Sequence, residues 1–162
     1  MKRRLALLVL PLALLAGCAM TTGQADAERR AAWISPAEAI AQAAAAAPGV
    51  VSGTFAMKVS ATGRDQTQLF LNSETDYRDP RNVSVALTPR AAGHLRERLG
   101  ANPLVALKEK NILVRGAAVR VRIDWYAQGV KTGRFYYQTQ IPVLDGDQIT
   151  VLESSDLTAV SR

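Results

Sequence analysis

From Val51 onward, apolar and polar positions alternate along the chain. Val51, Gly53, Phe55, Met57 and Val59 share one side while Ser52, Thr54, Lys58 and Ser60 share the other, the pattern of a half-buried strand. Thr62-Gly63-Arg64-Asp65 reads as the turn after it. Leu69 to Asn72 predicts a second strand, and alternating Val83, Val85 and Leu87 a third, with a polar loop from Ser73 to Asn82 between them. The period then lengthens. Ala91, Leu95 and Leu99 fall on one helical stripe, opened by Thr88-Pro89 and closed by Gly100. Residues 101–111 carry no clear period. Ile112 to Arg115 predicts a short strand, with a parity change at Gly116. Val119, Val121, Ile123 and Trp125 then turn inward and Arg120, Arg122, Asp124 and Tyr126 outward. Gly129 and Gly133 bracket a hairpin loop, Phe135 to Val143 forms the returning strand, Asp145-Gly146 is a further hairpin signal, and Ile149 and Val151 alternate in a last strand.

Upstream of Val51 the pattern changes twice. In Ser35-Pro36-Ala37-Glu38 the serine can accept from the Glu38 amide, the glutamate can reach back, and proline suits the first helical position. A helix should run through Ile40 and Ala47 and stop at Pro48-Gly49. Its alanines favour helix but bury little, which predicts a short helix lying across one end of the fold. Ala19 to Ala32 is small and polar with no apolar period, as in a flexible tether. In front of it, Lys2-Arg3-Arg4 precedes an apolar run from Leu5 to Gly17, too short to span a bilayer and arranged as a secretory signal peptide.

That run ends in Leu15-Ala16-Gly17-Cys18, which resembles the lipobox of bacterial lipoproteins. The resemblance implies cleavage before Cys18, lipid on its sulfur, and Ala19 as the following residue favouring the outer membrane. Cys18 is the chain's one cysteine, so a monomer has no disulfide. Cleavage elsewhere, for example after Ala19, would make Cys18 an ordinary small hydrophobe. The expected organisation is a signal peptide at 1–17, a tether at 18–32, one domain at 33–155 and a tail at 156–162.

The order of three strands, a helix, then two or three strands predicts a mainly β domain: a five- to six-stranded OB-like Greek-key barrel, with an N-terminal helix and a helix between strands three and four. The chain also resembles exported bacterial proteins with an OB-fold nucleic-acid-binding-like domain. The matching segments are Pro36-Ala37-Glu38-Ala39, Val50 to Gly53, Leu69 to Asn72, Asp76-Tyr77, Val83 to Val85, Gly116 to Val121, and Gln148 to Val151. Most of these are core or turn positions, so they speak to fold before activity. The chain departs from the family's pattern at Ile123-Asp124-Trp125, where a glycine is usual, and in a longer, more aromatic hairpin from Gln128 to Gln140.

Charge adds little. Without Lys2, Arg3 and Arg4 the cations fall from 20 to 17 against 14 carboxylates, and the formal net charge from +6 to +3. That is well short of the footprint of a dedicated nucleic-acid binder. Catalysis finds no support: His94 is the one histidine, no nucleophile has a base at motif spacing, and no catalytic, metal-binding or cofactor site is expected. Glu74, Asp76 and Asp79 are interrupted by Arg78 and Arg81 and read as a solvated turn with local ion pairs. Asp145-Gly146-Asp147 likewise reads as a turn before a metal site, and Asn82-Val83-Ser84 matches a glycosylation sequon by chance. Binding has the better case. Arg120, Arg122, Tyr126, Arg134 and Tyr136, with Arg115 and Lys131 nearby, can form one basic and aromatic face, although polar-out alternation alone produces the same residues. The expected protein is a monomeric, non-enzymatic envelope lipoprotein, held to a membrane through Cys18 and facing the periplasm or the surface. Its domain meets an envelope protein partner; the alternative ligand is single-stranded nucleic acid or an anionic glycan.

Overall fold

A computed structural model describes residues 33–153. The signal segment, Cys18, the tether and the tail lie outside the described residues. No helix among the described residues is long and apolar enough to cross a membrane.

The first long element forms as its cap dictates. Helix α1 (Pro36–Ala46) starts at Ser35, whose hydroxyl oxygen accepts from the Glu38 amide at 3.4 Å while the Glu38 carboxylate accepts from the Ser35 amide at 2.8 Å. This reciprocal pair satisfies two amide donors that would otherwise be orphaned at the helix start. Ala39 and Ala43, one turn apart, are fully buried. Their small side chains let the helix lie close on the sheet, so the alanine run does have something to cover.

The strands are β1 (Trp33–Ile34), β2 (Val50–Lys58), β3 (Ala61–Arg64), β4 (Leu69–Asn72), β5 (Val83–Leu87), β6 (Asn111–Ala127), β7 (Val130–Val143) and β8 (Ile149–Val151). Helices α2 (Pro89–Leu99) and α3 (Pro103–Ala106) separate β5 from β6. The result is mainly β: one mixed sheet of eight strands in the order β1-β2-β6-β7-β5-β4-β3, with β8 added beside β6. Strands β1 and β2 run parallel, as do β5 and β7; the other pairs are antiparallel. The hydrogen-bonded path is not closed, but β2, next to one end of it, and β3, at the other end, are nearly one segment. Only Val59 and Ser60 separate β2 from β3, and across them the backbone changes partner. The Val59 amide donates to the Lys110 carbonyl at 2.8 Å and the Ser60 amide to the Asn72 carbonyl at 2.9 Å.

Several sequence expectations are corrected. The strand count is eight, not five or six. Thr62 to Arg64 is strand, since it pairs with Leu69 to Leu71, and the chain reverses at Asp65 to Thr67, where the Asp65 carboxylate accepts from the Thr67 and Gln68 amides. Asp145-Gly146 makes no hairpin: Asp145 caps a 3-10 turn (Gly146–Gln148), after which β8 pairs with β6. The β6–β7 connection is shorter than Gly129 and Gly133 suggest. Gln128 and Gly129, at φ 49° and 79°, make a two-residue turn between paired Ala127 and Val130. Two successive positive φ values match the twist of a tight hairpin. Gly133, at φ 80°, lies within β7 where the register slips.

The largest correction concerns parity in β6. One unbroken strand runs from Asn111 to Ala127, and its core-facing positions are Ile112, Val114 and Ala118. They pack with Leu71, Val85, Ile141 and Val143 beneath α1 and α2. Val119, Val121 and Ile123 are half-buried on the opposite face, and Trp125 is 41% exposed. The two sets of residues do lie on opposite faces, as expected, but the interior is on the even-numbered side. Arg120 and Arg122 continue the core face past the end of the core.

Candidate functional site

Beyond Val119, β6 pairs only with β7, and before Thr139, β7 pairs only with β6. Residues 120–138 therefore form a two-stranded arm that carries aromatic rings and cations on both faces. The five residues expected to share a surface are divided between these faces.

One face borders a cleft of about 410 Å³ on the side of the sheet away from the core. Its floor is polar: Asn72, Ser84, Gln138 and Gln140 project from β4, β5 and β7. Asn72 Oδ1 accepts from the Ser84 hydroxyl at 2.7 Å, and Asn82 Nδ2 donates to the Ser84 oxygen at 2.9 Å. Gln140 donates to the Gln138 side-chain oxygen at 2.7 Å, and Gln138 donates to the Tyr77 carbonyl at 2.9 Å. Asn82 and Ser84 are 2% and 1% exposed, which places the apparent sequon in the interior of the folded domain.

The cleft's apolar wall comes from Phe70, Ile123 and Tyr136, and Trp125 lies next to it on the arm, against Tyr136. Trp125 and Tyr136 meet edge to face, with centroids 6.0 Å apart. Burial, then the neighbouring Tyr77, push the Tyr136 phenol above its ordinary pKa, while Arg78 pulls the other way. Two guanidinium groups converge on Trp125: Arg78 at 5.6 Å from the ring centroid, also 4.7 Å from that of Tyr77, and Arg134 at 5.8 Å. Neither has a carboxylate within ion-pair distance among the described residues. Of the expected face, then, Tyr136 lines the cleft, and Arg134 stands beside it near Trp125.

Tyr77, which lines the cleft, and Arg78, which lies over the Tyr77 and Trp125 rings beside it, carry no signal in the alternation pattern, and Trp125 is expected inside. One signal was available: an aromatic residue in an otherwise polar loop has to rest on something. Here the loop's backbone is fixed at Tyr77 by Gln138 and Asn82.

Arg120, Arg122 and Tyr126 lie on the arm's other face, with Phe135 and Tyr137. The Arg120 guanidinium stacks 3.8 Å from the Tyr137 centroid and Arg122 4.0 Å from that of Phe135. Asp124 pairs with Lys131 at 2.6 Å and Arg122 at 3.1 Å, and the Lys131 hydrogen bond first, then Arg122, holds its carboxyl below the usual range against the cost of burial.

Elsewhere, His94, Asp145 and Asp147 bring three potential ligand atoms within 4.8 Å of one another. The same carboxylates already carry His94 Nδ1 at 2.7 Å and the guanidiniums of Arg90 and Arg98 at 3.1 and 3.3 Å, so a cation would have to displace resident positive groups. The group fastens α2 to the turn before β8. Asp79 is held by Arg81 at 2.7 Å, and Asp76 accepts from the Arg78 amide, as local turn contacts.

No protein-family model matches this chain, and no curated protein matches it. Among solved structures, a chain described as an aspartyl-tRNA synthetase from Leishmania major Friedlin aligns with 74% of this chain and 20% of its own length, at 11% identity and a TM-score of 0.35. A likeness that slight carries no weight for either fold or function.

Proposed function

We propose that the chain is an outer-membrane lipoprotein, anchored through Cys18, whose domain is a non-enzymatic OB-type module that binds an acidic glycan in the cleft and across Trp125 beside it. The OB reading is supported by chain order and by the partner change at Val59 and Ser60. Taken together, β2 and β3 act as one bent first strand; β4 and β5 are then the second and third, and α2 follows the third. OB domains bind chain-like ligands on the face of their second and third strands, between the first loop and the loop joining the last two strands. In this chain that region is the cleft, with Arg64 and Asp65 at one end and the β6–β7 arm at the other.

The observation that carries the ligand class is the convergence of Arg78 and Arg134 on Trp125, with no carboxylate at ion-pair distance from either among the described residues. Rings offer a stacking platform, the two guanidiniums offer an anion site, and the side-chain amides of the floor suit hydroxyl groups. The net charge of +3 on the mature chain favours a sparsely charged polymer over a nucleic acid.

Titration of the chain with an acidic oligosaccharide and its neutral counterpart, followed by isothermal titration calorimetry, tests the reading. The acidic ligand should bind more tightly, and Trp125→Ala or the paired change Arg78→Gln with Arg134→Gln should abolish the difference. Equal binding of the neutral sugar would refute the anion site. Preferred binding of single-stranded DNA with a steep salt dependence would move the assignment to nucleic acid.

A further inference from the structure

We infer that the other face of the arm, carrying Arg120, Arg122, Tyr126, Lys131, Phe135 and Tyr137, docks on an anionic lipid surface. The inference rests on the lipid-anchor reading for the nearness of that surface. It adds an orientation: with this face on the membrane, the cleft on the opposite face opens to the aqueous side.

Exposure comes first. Tyr126 is 64% exposed, and Phe135 and Tyr137 are each 46% exposed, on an arm that projects past every other strand of the sheet. Half-exposed rings interleaved with cations have the composition of a segment that settles at the headgroup level of a bilayer. Charge complementarity selects an anionic surface. Three cations, Arg120, Arg122 and Lys131, share the face with one carboxylate, Asp124, which Lys131 and Arg122 already neutralise.

Geometry separates a lipid surface from a nucleic acid strand. Guanidiniums at 3.8 and 4.0 Å from the ring centroids cover a face of Tyr137 and of Phe135, and Phe135 meets Tyr137 edge to face at 5.6 Å. A base would have to displace these groups before stacking there. Headgroup phosphates need only the outer rim of each guanidinium, and the exposed ring edges can enter the interface without rearrangement. Beside the cleft the guanidiniums stand farther from the Trp125 centroid, at 5.6 and 5.8 Å.

The test uses the full chain reconstituted with vesicles of phosphatidylcholine alone or with phosphatidylglycerol added. An environment-sensitive fluorophore is attached through Tyr126→Cys on the arm or, for comparison, through Arg96→Cys on the exposed side of α2, with brominated lipid as quencher. The wild-type chain labelled in parallel reports whether Cys18 is free to react, so failure of the anchor reading is visible apart from failure of the arm to dock. The arm label should be quenched only when anionic lipid is present, the α2 label should not, and Arg120→Gln with Arg122→Gln should weaken the quenching about tenfold. Val130→Cys, at a position 69% exposed near the tip and outside the set of cations and rings, provides a second labelled position should Tyr126→Cys disturb the face. Equal quenching with and without phosphatidylglycerol, no quenching at either arm position, or protection of the arm label by single-stranded DNA in place of lipid would each overturn the inference.

Discussion

Ile112 and Ile123 belong to the same strand, and their truncation to alanine separates the two faces of β6. Ile112 is 0% exposed in the core, whereas Ile123 is half-buried on the wall of the cleft. Each change removes three carbons. At about 0.8 kcal/mol per buried methylene the transfer loss at Ile112 is about 2.4 kcal/mol, and the incompletely collapsed cavity raises the cost to about 3–4 kcal/mol. At Ile123 roughly half of that transfer loss applies, and the vacated space opens to solvent, giving about 1 kcal/mol. Urea unfolding followed by circular dichroism should show unchanged slopes and midpoints separated by about 1–2 M, with Ile112→Ala the less stable. If Ile123→Ala costs as much as Ile112→Ala, the interior lies on the odd-numbered side and the assignment of cleft and core is wrong.

Three other outcomes rest on local geometry. Arg81 holds the Asp79 carboxyl down to about 2, and the hydrogen bond from His94, foremost, lowers that of Asp145. A depressed carboxyl stabilises the fold above its unfolded pKa of about 3.9 and loses that contribution as pH falls through the folded value. Asp79→Asn should therefore remove part of the stability decline between about pH 4 and pH 2, measured by urea midpoints across that range. Gly146→Ala would place a Cβ 3.1 Å from the Leu95 backbone nitrogen and 3.2 Å from the His94 Cβ, so α2 must shift, at a cost of about 1–2 kcal/mol by the same unfolding assay. Gly93→Ala on α2, where an added Cβ meets nothing within 4 Å, should instead raise stability by about 0.5–1 kcal/mol, read as a higher melting temperature.

What could be read from the sequence was whatever local chemistry determines. The Ser35–Glu38 box, the Thr88-Pro89 start and the strands at 50–58, 69–72 and 83–87 all appear where spacing places them. What could not be read depends on distant partners. Thr62-Gly63 has turn-like residues but becomes strand because Leu71 and Phe70 are waiting for it in the register. Asp145-Gly146 has the composition of a hairpin, yet β8 turns away from β7 because the open edge available to it is on β6, opposite Ile112 to Val114. Tyr77 and Arg78 reach the candidate site only because a loop from one side of the sheet folds over the cleft toward an arm some fifty residues later, a contact to which no local pattern points.

The β6 arm shows why alternation assigns sides but not an interior. Along a strand the two sets of side chains separate at every second residue, whatever lies on either side of the sheet. Val119, Val121 and Ile123 look like the buried set because they are apolar, and Arg120 and Arg122 like the solvated set because they are charged. Yet the sheet has apolar residues on both faces here. The even-numbered set runs Ile112, Val114, Ala118 and then changes to arginine just past Val119, where the pairing with β2 stops opposite Val50. The odd-numbered set stays apolar longer because it lines the cleft. One strand thus passes from core to surface without a break, with Arg120 taking over the face that Ala118 buries. The same parity places Trp125 toward the cleft and Arg122 away from it, so a single count along β6 determines both the candidate ligand site and the candidate membrane face.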